Sequence, residues 1–203
     1  MATRHPSPGW RRRDWLRTAT VTTAGWTLGP ARASDDFWAL ARQGGHVLLM
    51  RHARTEPGIG DPPEFRLGDC RTQRNLSEAG RDEARRVGER FLAEGVRLDA
   101  VYSSAWCRCT DTAALAFDPH HPPHRVWEAL NSFFQGRDDG ERQTQATLQR
   151  LRTLRPPANW MLVTHQVNIT ALTGEWPAMG ELFLARPPQG GDTRLAVRAR
   201  WRP

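Results

Sequence analysis

The chain of 203 residues contains no lysine; all 29 of its cationic side chains are arginine. We attribute that usage to coding bias rather than to recognition. Tyrosine occurs once and cysteine three times. Three cysteines leave at least one thiol unpaired. The Cys107-Arg108-Cys109 pair is too tight, and too short of partners, for a zinc site, so no metal is expected. No apolar stretch is long enough to cross a bilayer, and a stable membrane anchor is not expected. Linkers, repeats and low-complexity blocks are missing after residue 33. The remaining roughly 170 residues are enough to bury an ordinary core, which predicts one domain over residues 34–203.

The overall charge of +7 points at first towards nucleic acid. Its distribution removes that reading. Residues 1–33 hold six of the 29 basic side chains and one of the 22 acidic ones, which leaves 23 against 21 for the rest. No RNA- or DNA-binding motif is visible, and nucleic acid is not an expected partner.

The basic excess sits in a segment with its own pattern. Arg12-Arg13-Asp14-Trp15-Leu16 is followed by the mildly apolar stretch 18–28 and then by Pro30-Ala31-Arg32-Ala33. Paired arginines, an apolar region and a small-x-small ending before Ser34 read as a twin-arginine-type export signal over residues 1–33. Such a signal is an address read by the twin-arginine export machinery, and it predicts a periplasmic or otherwise exported protein. No cysteine lies near the cleavage point, which argues against a lipoprotein. The plainer reading is a disordered basic tail.

The remainder alternates strand-like and helix-like segments, the pattern of an α/β sandwich with a mostly parallel sheet. Strands are expected at 46–51, 100–102, 125–127, 161–164, 181–185 and 194–197. Ser77 is placed to cap a helix carrying Ala84, Val87 and Phe91 on one face and closed by Gly95. Further helices are expected over 112–117, after His165 and over 142–154. A long loop with Gly58, Gly60 and Pro62-Pro63 is expected to cover a site.

Chemistry is expected where apolar strands end. Val47-Leu48-Leu49-Met50 stops in Arg51-His52-Ala53-Arg54, and Met161-Leu162-Val163 stops in Thr164-His165-Gln166. Ala100-Val101-Tyr102 leads to Ser103-Ser104 and then Arg108. In open α/β sheets ligands bind at the carboxyl ends of the strands, so three such ends converge on one crevice. Guanidinium forks match phosphate oxygens, and they also hold down the pKa of a neighbouring histidine, keeping a ring nitrogen available to attack.

Four pieces, in order, resemble the histidine phosphatase superfamily, which includes the cofactor-dependent phosphoglycerate mutases. They are Arg51-His52-Ala53-Arg54-Thr55; Leu76-Ser77 with Gly80 and Ala84; Ser103-Ser104 with Arg108 and Thr112-Ala113; and Thr164-His165. Gln166, rather than aspartate, after the second histidine favours the mutase-like branch. The resemblance implies a three-layer α/β/α sandwich of the phosphoglycerate mutase kind. His52 is then the nucleophile that accepts the phosphoryl group, and Arg51, Arg108 and His165 (protonated in use) form the phosphate pocket. Arg54 either touches substrate or faces water. Thr55 either caps a turn or reaches a phosphate oxygen. Gln166 either contacts substrate or simply begins a helix. Backbone N–H groups of helices starting after His52 and His165 are expected to assist. No cofactor is implied.

The leaving oxygen needs a proton, normally from a carboxylic acid. The family pattern puts Ser132 where that acid should be, so Glu128 is the nearest candidate, with Asp138 and Asp139 behind it. Export would permit a disulfide from Cys70 to either Cys107 or Cys109. The expected activity is phosphomonoester hydrolysis through phosphohistidine, on a phosphorylated small molecule or envelope component. A phosphate-transferring mutase and a non-catalytic phosphate-binding protein are the alternatives.

Overall fold

Val47-Leu48-Leu49-Met50 is apolar at every position because it forms a strand covered on both faces. In the computed structural model, which describes residues 1–3, 31–134 and 139–203, it is β1 (Val47–Arg51). The twin-arginine motif at Arg12-Arg13 and the acid candidate Asp138 lie outside the described residues.

The remaining elements are α1 (Ala31–Gln43), α2 (Glu78–Ala93), β2 (Ala100–Ser103), α3 (Cys107–Ala116), β3 (Arg125–Val126), α4 (Gly140–Leu151), β4 (Trp160–Thr164), α5 (Gln166–Thr173), β5 (Leu182–Ala185) and β6 (Val197–Trp201). The sheet order is β3-β2-β4-β1-β5-β6. Strands β3, β2, β4 and β1 are mutually parallel, and β5 pairs antiparallel with both β1 and β6. The expected α/β class with a mostly parallel sheet is what forms.

Alternate strand residues point to opposite faces, and the core divides accordingly. Leu48, Met50, Val101, Met161 and Val163 pack with Phe37, Trp38, Val87 and Phe91 on the α1–α2–α3 side. Val47, Leu49, Tyr102 and Leu162 pack with Leu148, Leu151, Ile169 and Leu172 on the α4–α5 side. Three layers result.

Ser77 caps α2 as expected, its Oγ accepting from the Gly80 amide at 3.1 Å. Gly80 is required by close approach: a Cβ there would stand 1.9 Å from the Arg54 carbonyl oxygen. That contact brings the start of α2 against the segment leaving β1. Three expectations shift. Helix α3 begins at Cys107 rather than 112, so Arg108 sits in a helical first turn. The last strand lies at Val197–Trp201, beyond the 194–197 segment expected. Helix α1, unanticipated, spans the proposed cleavage point and buries Phe37, Trp38 and Ala41.

Candidate active site

Register places the two histidines side by side. In the parallel β1–β4 pair Arg51 is opposite Thr164, so His52 and His165 are the next residues on neighbouring strands. The His52 amide donates to the Thr164 carbonyl at 2.9 Å. On the far side of β4, Ser103 pairs with Val163, and the Ser104 amide donates to the Val163 carbonyl. Three adjacent strand ends thus present His52, His165 and Ser104 at one edge. The two imidazole centroids are 5.6 Å apart.

His52 is buried, and its Nδ1 lies 2.9 Å from the carbonyl oxygen of Ala53. A carbonyl can only accept, so Nδ1 carries the proton and Nε2 keeps its lone pair. Burial, and then the guanidinium of Arg108, hold the pKa of the ring well below its usual value. The neutral ring is favoured, with Nε2 as its free acceptor nitrogen.

His165 is set in the same way by its partners. Arg108 Nη2, which can only donate, lies 3.4 Å from Nδ1, so that atom accepts. Nε2–H then donates to Ser104 Oγ at 2.8 Å, and the Ser104 hydroxyl donates in turn to Asn131 Oδ1 at 3.3 Å. Burial first, then Arg108, lower this pKa well below the ordinary range. The neighbouring Cys109 thiol is pushed up to about 12 by burial, which leaves it an inert packing group.

A cavity of about 360 Å³ opens over these rings. Its charged lining consists of Arg51, Arg74 and Arg108 with one carboxylate, Asp61, a formal excess of two positive charges. That excess matches a phosphomonoester dianion. Two guanidinium N–H groups, Arg51 Nε and Arg108 Nε, are buried without an acceptor. Burial and the neighbouring guanidiniums lower the pKa of Arg51 and of Arg74, a repulsion that a bound anion relieves.

Asp61 and Arg74 were missed by the sequence reading, and both come from the covering loop. Asp61 accepts from Arg108 Nη1 at 2.8 and 3.0 Å, from the Trp106 indole at 2.9 Å and from the Arg74 amide at 3.0 Å. Both its oxygens are occupied as acceptors, which makes it the counter-ion that orients Arg108. Arg74 is fixed by Thr55 Oγ1 at 2.6 Å and by the carbonyls of Gly58 and Gly60. The glycine-rich loop hinted at a cover but carried no signal that it delivers charge.

The expected residues divide. Arg51, His52, Arg108, His165 and Gln166 line the cavity together. Arg54 does not: its side chain is 54 % exposed and held by Glu83 at 3.0 Å. Thr55 contributes through Arg74 rather than by lining the cavity. No helix follows His52 directly, so only α5, after His165, offers helical N–H groups there. Glu128 is corrected by geometry: it is exposed, and it lines a different cavity with Asp139. Ser132, the position that the resemblance marks for the acid, does line the cavity. Among the described residues, no group of three or more histidine, cysteine, aspartate or glutamate side chains is placed to hold a metal.

Cys70 is bridged to Cys107, the first residue of α3, while Cys109 is a buried free thiol. The bridge ties the covering loop to the helix that carries Arg108. Gln73 adds a second tie, its Oε1 accepting from the Cys107 amide at 3.0 Å.

Comparison with known proteins places this arrangement. No curated protein sequence matches the chain significantly. Among solved structures, YhfR of Bacillus stearothermophilus aligns at TM-score 0.57 and 17% identity over 76% of this chain and 95% of that one. The α-ribazole phosphatase of Shigella flexneri aligns at TM-score 0.53 and 17% identity over 76% and 95% of the two chains. A mycobacterial glucosyl-3-phosphoglycerate phosphatase aligns at 0.55 and 13% over 77% and 98%. At these identities the likeness is one of fold. The family model of the histidine phosphatase superfamily (branch 1) matches residues 47–147. With His52 and His165 side by side at the ends of β1 and β4, beneath Arg51 and Arg108, the chain belongs to the histidine phosphatase superfamily.

Proposed function

We propose that the protein is an exported phosphatase that hydrolyses a phosphomonoester through a phosphohistidine on His52. The observation that carries this reading is the His52–Ala53 hydrogen bond, which leaves Nε2 as the acceptor nitrogen of a neutral ring lining an arginine-rich cavity. Phosphoryl transfer asks a protein mainly for positioning and for positive charge around the moving oxygens.

The sequence of events follows from these groups. The phosphoryl oxygens sit among Arg51, Arg74 and Arg108. The Nε2 lone pair attacks phosphorus, the P–O bond to the leaving group breaks, and that oxygen takes the electron pair and then a proton from solvent water. Water next attacks phosphorus, the N–P bond breaks, and neutral His52 and inorganic phosphate are released. Among the described residues the lining carboxylate is Asp61, which is engaged by Arg108. We therefore assign the fastest turnover to esters of acidic alcohols or phenols, whose oxygens need little help to leave.

Export is supported by the Arg12-Arg13 signal pattern and by the Cys70–Cys107 bridge, which suits an oxidising compartment. A mutase would return the phosphoryl group to a second substrate oxygen, whereas a phosphatase gives it to water.

The test is release of inorganic phosphate from 4-nitrophenyl phosphate with rapid-quench trapping of an acid-labile phosphoenzyme. His52→Ala is expected to lose at least a thousandfold in kcat and all of the trapped label, a loss of about 4 kcal/mol of transition-state stabilisation. Full turnover by His52→Ala would refute the mechanism. Localisation is tested separately, by fractionating cells that express the full chain and a form with Arg12 and Arg13 replaced by alanine. Equal periplasmic recovery of the two would refute twin-arginine export.

A further inference from the structure

Among the described residues, eight large apolar side chains are exposed, and four of them line the single cavity that holds His52. These are Ile59, Phe134, Trp176 and Met179. They come from three separate stretches: the covering loop, the segment beyond Leu130, and the turn before β5. Singly scattered apolar residues on a surface need no explanation, but a group gathered around a cavity mouth does. Ile59 is 89 % exposed, Trp176 65 % and Phe134 55 %.

The backbone around Trp176 is tied on both sides. The Trp176 carbonyl accepts from Arg200 Nη2 at 3.1 Å, and the next carbonyl, of Pro177, accepts from Arg51 Nη1 at 3.1 Å. The Glu175 carbonyl accepts from Thr170 Oγ1 at 3.0 Å. Downstream, the Gly180 amide donates to the carbonyls of Arg51 and His52, at 3.2 and 3.1 Å. The segment that carries the indole is thus anchored in part on Arg51 and His52. An exposed apolar ring at a cavity gains when a ligand covers it.

Charge in the cavity is confined to a few side chains. Its charged side chains are Arg51, Arg74, Arg108 and Asp61, and outside the two histidines its remaining polar side chains are Ser132 and Gln166. A sugar or a second carboxylate on the leaving side would give up its water for few partners.

We infer that the substrate is a phosphomonoester whose leaving group is an apolar body, aryl or alkyl, that packs on Ile59, Phe134, Trp176 and Met179. This rests on the phosphatase reading of the site and names its substrate class.

A series of 4-alkylphenyl phosphates, from methyl to hexyl, tests it with the acidity of the leaving phenol held nearly constant. The kcat/KM of the full chain is expected to rise roughly threefold per methylene until the chain outgrows the collar. The polar 4-(hydroxymethyl)phenyl ester is expected to be turned over about tenfold more slowly than its 4-ethyl counterpart. Trp176→Ser and Ile59→Ser are expected to flatten the chain-length slope, which is the quantity read rather than the absolute rate. A flat or falling series, with phosphate still released in a His52-dependent way, would overturn the apolar-substrate inference and leave the phosphatase reading standing. Absence of turnover for every ester, 4-nitrophenyl phosphate included, would instead overturn the phosphatase reading. Calorimetry of the same esters on His52→Ala then still decides the collar: Kd that tightens with chain length supports it, and Kd independent of chain length refutes it.

Discussion

The Nδ1–H of His52 donates to the carbonyl of the next residue, Ala53, at 2.9 Å, and the amide of that same Ala53 donates to Thr112 Oγ1 at 3.1 Å. Thr112 in turn donates its hydroxyl to the Arg108 carbonyl at 2.6 Å. Helix α3 therefore supplies a cationic side chain to the cavity and also holds the residue whose carbonyl fixes the tautomer of His52. Thr112→Val keeps the shape and removes both bonds. It is expected to cost about 1–2 kcal/mol of stability and to lower kcat about tenfold with KM nearly unchanged. Thr112→Ser should restore most of the kcat. Urea unfolding and steady-state kinetics on 4-nitrophenyl phosphate check both; an unchanged kcat in the valine variant would refute the positioning role.

The buried histidines make stability depend on pH with a definite sign. His52 and His165 have pKa values held well below the ordinary 6.5, first by burial and then by Arg108. Between the folded and unfolded values, the unfolded chain binds protons that the folded chain refuses. Stability is therefore full above about pH 6.5 and falls as the pH drops below it, by up to about 1.4 kcal/mol per pH unit for each ring. His46 and His121, lowered mainly by burial as well, add in the same direction. The urea midpoint followed from pH 7.5 to 5 should fall, and His165→Asn should make the fall shallower. A midpoint that rises towards acid pH would mean that these rings are protonated in the folded protein.

Asp61 and Glu128 are expected to behave in opposite ways on substitution. The Arg108–Asp61 pair is buried on both sides, and removing one partner of such a pair typically costs about 3–5 kcal/mol. Asp61→Ala should lower the melting temperature and weaken kcat/KM by a similar factor for 4-nitrophenyl and phenyl phosphate, because the loss is one of Arg108 orientation. A loss confined to the poorer leaving group would instead make Asp61 the proton donor. Glu128→Gln, on an exposed residue away from the cavity, should leave kcat/KM within about twofold. A hundredfold loss there would restore it to the mechanism.

The Cys70–Cys107 bridge closes a separation of 37 residues that includes Arg74. Loop-closure entropy puts its contribution at about 3–4 kcal/mol. Under dithiothreitol the melting temperature should fall, and kcat/KM with it, since the bridge joins the covering loop to the first turn of α3. Thiol titration of the denatured protein should find one reactive group without reductant and three after reduction. Three groups in both conditions, with unchanged stability, would show that the bridge does not form.

How much of this was legible beforehand is decided by how local each signal is. A strand buried on both faces must be apolar throughout, so its end is marked when Arg51-His52 or Thr164-His165 breaks the run, and alternation of such strands with helices gave the α/β class. Ser77 and the Ala84, Val87, Phe91 spacing located α2 for the same reason. Helix α3 was placed too late because Trp106 offers no side-chain cap and Cys-Arg-Cys-Thr has little helix propensity of its own; tertiary packing overrides both.

The residue sequence by itself determined the strand ends, the candidate nucleophile at one of them and the family to which they belong. Only the tertiary structure decided that Arg74 rather than Arg54 joins the site, that Asp61 balances Arg108, and that Glu128 stands outside it. It also chose Cys107 over Cys109 for the bridge: residues two apart on a helix point about 200° from each other, so one sulfur meets the covering loop while the other faces His165. Periodicity along the chain records which face of an element is apolar. It does not record which distant loop folds over that element, and charge pairing in this cavity is set by the loop.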